Sequence, residues 1–159
     1  MRQKLAFVIA LLAWVSIIIQ FVLMMDNRTA SVQETVIRFF SFFTILTNTL
    51  VAIYFSIQAF SVKPVNGLTP VTIYITIVGL VYQVLLRHTW NPQGIQKIID
   101  ELLHSVIPLL TIVYWWLYRV AANLNYRLII RWAAFPLIYL ISIPLSLFPL
   151  LHFHLFFVD

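Results

Sequence analysis

The chain has 159 residues, of which 62% are hydrophobic, 16% aromatic and 9% charged, and a soluble domain at about 25% charged residues is excluded. A bilayer-spanning helix takes about 20 largely apolar residues, so the length accommodates about five or six of them and no separate nucleotide-binding module. The net charge of +5 comes from ten Lys and Arg scattered singly between apolar runs, which suits membrane topology and makes no basic stripe for nucleic acid; the absence of cysteine removes disulfides, thiolate metal sites and a cysteine nucleophile.

Arg2 and Lys4 precede an apolar stretch over 5–25. It is longer than a signal-peptide core and lacks an Ala-x-Ala-like cleavage site, so it reads as a retained first helix. A polar loop from Asp26 to Ser31 follows, and 36–60 reads as one continuous second helix. The segment 63–70 holds Pro64, Gly67 and Pro70 and forms a short turn-rich connection. A third, short helix is expected over 71–86, where β-branched residues favour helix in lipid because only a helix satisfies its own backbone there. Arg87 to Gly94 leaves the membrane with Trp90 as an interfacial anchor. After a helical lead-in, the fourth helix covers 98–120 and ends in the aromatic and basic belt of Trp115, Trp116, Tyr118 and Arg119. The fifth covers 131–151, with kinks expected at Pro136, Pro144 and Pro149. No Gly-x-x-x-Gly pairing motif, internal repeat or heptad pattern is present. The fold class is therefore an all-α polytopic transmembrane bundle of five helices in one domain.

Five crossings gather Arg2, Lys4, Lys63, Arg119, Arg127 and Arg131 on one side, against Arg28, Arg38, Arg87 and Lys97 on the other. The basic excess predicts a cytoplasmic amino terminus in a multi-pass membrane protein. The acidic residues and all four histidines then map to the outer half. Ionisable groups within a membrane are costly and ordinarily face a partner or a cavity, so the outer half is the expected functional region.

Arg38, Ser41, Thr44 and Asn48 follow i, i+3, i+6, i+10 and would share one helix face. Helix packing through Ser, Thr and Asn accounts for such a stripe unless something chemical lies opposite. On the fourth helix, His104 can approach Asp100 or Glu101 on its own face, either of which would orient the imidazole as a base. A serine beside such a histidine is the minimum for acyl transfer, with Arg38 or Arg87 available to hold a carboxylate head group and Asn48 or Arg87 to donate to an oxyanion. Gln83 lies one turn before Arg87 on the same face. His152 and His154 supply two ligands, and the remaining ones cannot be named, so no metal site is read.

The runs Arg38-Phe39-Phe40-Ser41-Phe42-Phe43-Thr44-Ile45-Leu46-Thr47-Asn48, Leu86-Arg87-His88-Thr89-Trp90-Asn91-Pro92 and Asp100-Glu101-Leu102-Leu103-His104-Ser105-Val106-Ile107-Pro108 resemble the bacterial branch of the androgen-induced and androgen-dependent TFPI-regulating protein family. The resemblance implies an integral membrane hydrolase of fatty acid esters of hydroxy fatty acids, working through a membrane-embedded threonine and a histidine and needing no cofactor. By local motif the histidine falls on His104 and the nucleophile on Ser41, with Thr44 one turn deeper as the other hydroxyl. It also implies a bacterial plasma membrane as the setting and a six-helix bundle, so that the five read here are expected to be a shortened form, a bundle closed with five helices, or one completed by an oligomer or partner helix. The function expected is hydrolysis of a membrane lipid or fatty acyl ester. A non-enzymatic protein that binds or transports a lipid or small solute is the alternative.

Overall fold

The computed structural model describes residues 1–89, 91–119, 128, 130–139 and 141, and all the regular structure among them is helical. Among the described residues four helices are long and apolar enough to cross a membrane: α1 (Arg2–Asp26), α3 (Phe43–Phe60), α4 (Leu68–Leu86) and α5 (Gly94–Tyr118). A shorter helix, α2 (Val32–Ser41), precedes α3. The chain divides into Met1–Val120, which holds these five elements, and Ala121–Asp159. In the second unit the described part of the expected fifth helix is helical over 130–139, with Pro136 inside it. Pro144, Pro149, His152 and His154 lie outside the described residues.

The bundle is built on α1 against α3. Ala6, Ala10, Ala13 and Ser16 are all buried on one face of α1, and small side chains let two backbones approach closely where lipid gives no hydrophobic push. Val51, Ala52 and Phe55 of α3 are buried in the same core. The two helices run antiparallel: Arg2 donates to the carbonyls of Ser61 and Val62 just past the end of α3, and Gln3 Nε2 donates to Ser61 O at 3.3 Å. At the same end Tyr54 Oη donates to Val65 O at 2.9 Å, the Val65 amide donates to Gln58 Oε1 at 2.8 Å, and Trp115 Nε1 reaches Thr69 Oγ1 at 3.1 Å. Arg2, the 61–67 connection and the end of α5 thus share one end of the bundle, as the basic residues imply.

The continuous second helix expected over 36–60 is replaced by two. The Ser31 hydroxyl caps α2 by accepting the Glu34 amide at 3.3 Å, which fits the Ser-x-x-Glu start signal. The backbone then turns extended at Phe42 (φ −76°, ψ 125°) and α3 begins anew at Phe43. At about 1.5 Å per residue α2 is too short to span a bilayer. It carries Glu34 and Arg38 paired on its surface and sinks Phe39 into the core, edge-on to Phe21 at 5.0 Å. The break separates an amphipathic surface helix from a spanning one. The third helix starts at Leu68, earlier than expected, because Pro70 sits in its first turn, where its missing N–H has no intrahelical acceptor to serve.

Two π turns adjoin each other in α4 and α5. Tyr82–Leu86 closes with the Arg87 amide on Tyr82 O at 2.8 Å, and Leu102–Val106 with the Ile107 amide on Leu102 O. The second has a visible cause: Pro108 offers no N–H to the His104 carbonyl, and the wider turn also releases the Leu103 carbonyl, which instead accepts from Asn48 Nδ2 at 3.3 Å. α4 presses on this point through Gly79, where an added Cβ would stand 3.2 Å from both His104 O and Pro108 Cβ. Gly79→Val is therefore expected to destabilise the bundle by about 1–3 kcal/mol through overpacking, seen as a lower unfolding midpoint in detergent; an unchanged midpoint would mean the two helices are free to part.

Candidate functional site

The break at Phe42 puts Thr44 in the first turn of α3. The first intrahelical bond there runs from the Leu46 amide to Phe42 O at 3.1 Å. The amides of Thr44 and Ile45 precede that bond and have no acceptor within α3. Across from them, the π turn of α5 presents His104. Its Nδ1 lies 2.9 Å from the main-chain oxygen of Asp100 and 3.3 Å from Asp100 Oδ1. A carbonyl only accepts, so Nδ1 carries the hydrogen and Nε2 is left as the acceptor. Nε2 is 3.2 Å from Thr44 Oγ1, an arrangement in which the threonine hydroxyl donates to the imidazole. Thr44, His104 and Asp100 form a hydroxyl–imidazole–carboxylate line.

Tyr82, from the π turn of α4, stacks flat on His104, with centroids 4.4 Å apart and an interplanar angle of 18°. Its phenol is turned toward the Asp100 carboxylate. Asp100 is 7% exposed, and its Oδ2 has no hydrogen-bond partner among the described residues. An imidazolium formed at His104 would lie between this carboxylate and the π face of Tyr82, both of which favour positive charge.

These groups line a cavity of about 470 Å³, within the range of small-ligand sites. Its walls are mainly apolar, with Met24, Phe39, Phe42, Ile45, Leu86 and Leu103. Polar side chains come from α1 (Gln20), α3 (Thr44), α4 and its end (Tyr82, Thr89) and α5 (Gln96, Asp100, His104).

Several sequence expectations change here. The hydroxyl set on His104 is that of Thr44; Ser41, on the other side of the break in the last turn of α2, donates to Ile37 O at 2.7 Å. Arg38 pairs with Glu34 on the surface and does not line the cavity. Asn48 is buried, but its amide nitrogen is engaged by Thr44 O at 2.9 Å and by Leu103 O. It ties the threonine turn to the histidine turn and has no donor left to aim at a substrate oxygen. Of the two carboxylates, Asp100 meets His104. Glu101 closes a ring instead: Arg87 donates to Gln83 Oε1 at 2.6 Å and to Glu101 Oε1 at 2.9 Å, Gln83 Nε2 donates to Ser105 Oγ at 2.7 Å, and Ser105 Oγ donates to Glu101 Oε2 at 2.7 Å. The expected Arg87–Gln83 proximity holds, yet the ring lies beside the cavity and locks α4 to α5.

Sequence reasoning missed Tyr82, Gln20 and Gln96. The signal for Gln20 was a lone amide deep in the apolar 5–25 stretch; for Gln96 it was the i, i+4, i+8 series with Asp100 and His104. Among the described residues no group of three or more His, Asp or Glu is placed to hold a metal ion. No family model matches the chain, and no curated protein or solved structure matches it.

Proposed function

We propose that this chain is a membrane-embedded hydrolase of fatty acyl esters, with Thr44 as nucleophile, His104 as general base and Asp100 as the group that orients it. The observation that carries the reading is the pairing of Thr44 Oγ1 with His104 Nε2 at 3.2 Å inside an apolar cavity, the other ring nitrogen being held by Asp100. The resemblance to the androgen-induced and androgen-dependent TFPI-regulating proteins supports the hydroxyl and histidine pair, and the distance to His104 favours Thr44 over Ser41, the position given by the local motif.

Thr44 Oγ1 attacks the ester carbonyl carbon while its proton passes to His104 Nε2. The tetrahedral oxyanion is met by the open amides of Thr44 and Ile45 at the start of α3, where the helix dipole favours negative charge. Collapse breaks the acyl C–O bond, and the alcohol leaves with the proton from His104. Water then adds to the threonyl ester, giving a proton to His104; the acid departs and Thr44 recovers its hydrogen. The site sits at the end of the bundle opposite Arg2, in the outer half if the basic excess places the amino terminus in the cytoplasm.

Labelling with a fluorophosphonate, which traps an activated hydroxyl with loss of fluoride, tests the reading. Wild type and Ser41→Ala are expected to label alike, and Thr44→Ala and His104→Ala to lose the label. A folded, membrane-inserted wild type that takes no label would favour a lipid-binding role for the same cavity.

A further inference from the structure

We infer that the cavity opens sideways into the bilayer between Phe42 and Leu86, and that a long-chain lipid reaches it there directly from the surrounding leaflet. The inference goes beyond the hydrolase reading and rests on it only for the fate of what enters. Of the apolar residues that line the cavity, Phe39, Ile45 and Leu103 are buried, whereas Phe42 and Leu86 are 53% and 45% exposed. A side chain that is both cavity wall and outer surface marks the edge of an opening. α2 packs chiefly on α1 and α3, and α4 on α3 and α5. The break at Phe42 and the last turn of α4 thus stand as the two posts of the mouth.

Both posts stand in apolar surroundings. Ile37 and Phe40 of α2 are exposed beside Phe42, and Val84 and Leu85 of α4 beside Leu86. The charges nearest them, Arg38 and Arg87, are each closed in an ion pair, with Glu34 and with Glu101. With 19 residues α4 is about 28 Å long, close to the hydrocarbon thickness of a bilayer, so Leu86 belongs at the acyl edge of the leaflet. α2 is amphipathic and belongs in the same boundary layer. Acyl chains therefore cover Ile37, Phe40, Phe42, Val84 and Leu85, and the apolar wall behind Phe42 continues the same medium. A chain that passes between the posts exposes none of its length to water. The water-facing wall is a different one. There Gln96 Nε2 donates to Gln20 Oε1 at 2.9 Å between α5 and α1, and the charged, exposed side chains of that rim are Lys97 next to Gln96, and Asp26 and Arg28 just past Met24. A lipid arriving by that rim would first have to leave the bilayer.

The chain has no cysteine, so Phe42→Cys and Leu86→Cys together can be bridged across the mouth by a short bis-thiosulfonate linker and released by a reductant. The full chain is placed in phosphatidylcholine vesicles that contain a long-chain alkyl ester with a diazirine beside its ester group. Light-induced adducts are then mapped on Leu103 inside the cavity and on the exposed Leu80 of α4, before bridging, after it, and after reduction. The Leu103 adduct is expected to be lost on bridging and regained on reduction while the Leu80 adduct stays constant. Leu86→Trp, which narrows the mouth by a single exchange, is expected to weaken the Leu103 adduct in the same way. A Leu103 adduct that persists in the bridged protein, or that never forms in the unbridged one, would overturn the lateral entry. Hydrolysis of the ester is followed separately on wild type. A Leu103 adduct that depends on the open mouth, with no hydrolysis, would leave the entry route standing and remove the hydrolase reading; hydrolysis that continues at full rate after bridging would do the reverse.

Discussion

Thr44→Val is expected to lower ester turnover by about 10³-fold or more, the scale seen when a nucleophile is removed from a hydroxyl–imidazole unit. Valine has nearly the shape of threonine and keeps the β-branch that packs the first turn of α3, so the exchange removes one hydroxyl and little else. The loss to the fold is that of one hydrogen bond to His104, about 1 kcal/mol. Thr44→Ser restores the hydroxyl without the methyl group that restrains its rotamer, and turnover within about tenfold of wild type is expected. Helix content and membrane insertion measured alongside separate chemistry from folding. A Thr44→Val protein with full turnover, together with an inactive Ser41→Ala, would return the nucleophile to α2.

His104→Ala is expected to cost about 10²–10⁴-fold in turnover, the range for loss of a general base. Asp100→Asn should cost much less. In a triad whose carboxylate alone fixes the histidine tautomer, the Asn exchange costs about 10⁴-fold, because the amide can stabilise the wrong one. Here the main-chain oxygen of Asp100 holds Nδ1 at 2.9 Å, closer than the side chain at 3.3 Å. That oxygen is present whichever residue occupies position 100. What Asn removes is the negative charge beside the imidazolium, and a loss of about tenfold to 100-fold is expected. Turnover and KM measured on both variants decide it; a 10⁴-fold loss in Asp100→Asn would show that the backbone contact does not control the tautomer.

The all-α character and the four spans are legible because apolar runs of bilayer length leave little else for the chain to be. The register of His104 with Asp100 is legible too, since i, i+4 spacing survives even where the next turn widens. The choice between Ser41 and Thr44 was not. Extrapolating one helical period through Phe42 aligned Ser41 with Thr44, and no Gly or Pro marks the place where the helix stops. The readable trace of the break lay upstream, in the Ser31–Glu34 cap, which announces a helix starting too early to be the spanning one. Likewise, a search for Gly-x-x-x-Gly passes over Ala6, Ala10 and Ala13, although alanine performs the same close packing. Glu101 and Arg87 looked like pocket residues because each is charged and near the membrane boundary. Only the neighbouring helix shows that they answer each other.

The ring of Arg87, Gln83, Ser105 and Glu101 also bears on how the protein enters its membrane. A lone Arg or Asp at a helix centre costs about 2.5–3.5 kcal/mol on the insertion scale, and the cost falls for a charge near the end of a span. If α4 were threaded into lipid by itself, Arg87 would arrive with only Gln83 to answer it. Glu101 follows 14 residues later, on the far side of a single reversal of the chain. Delivered together as a helical hairpin, the two charges enter as one neutral, hydrogen-bonded unit. The sequence 68–118 is thereby suited to partition as a pair, with the α4–α5 contact made during biogenesis and the histidine turn already braced when the remaining helices close around it.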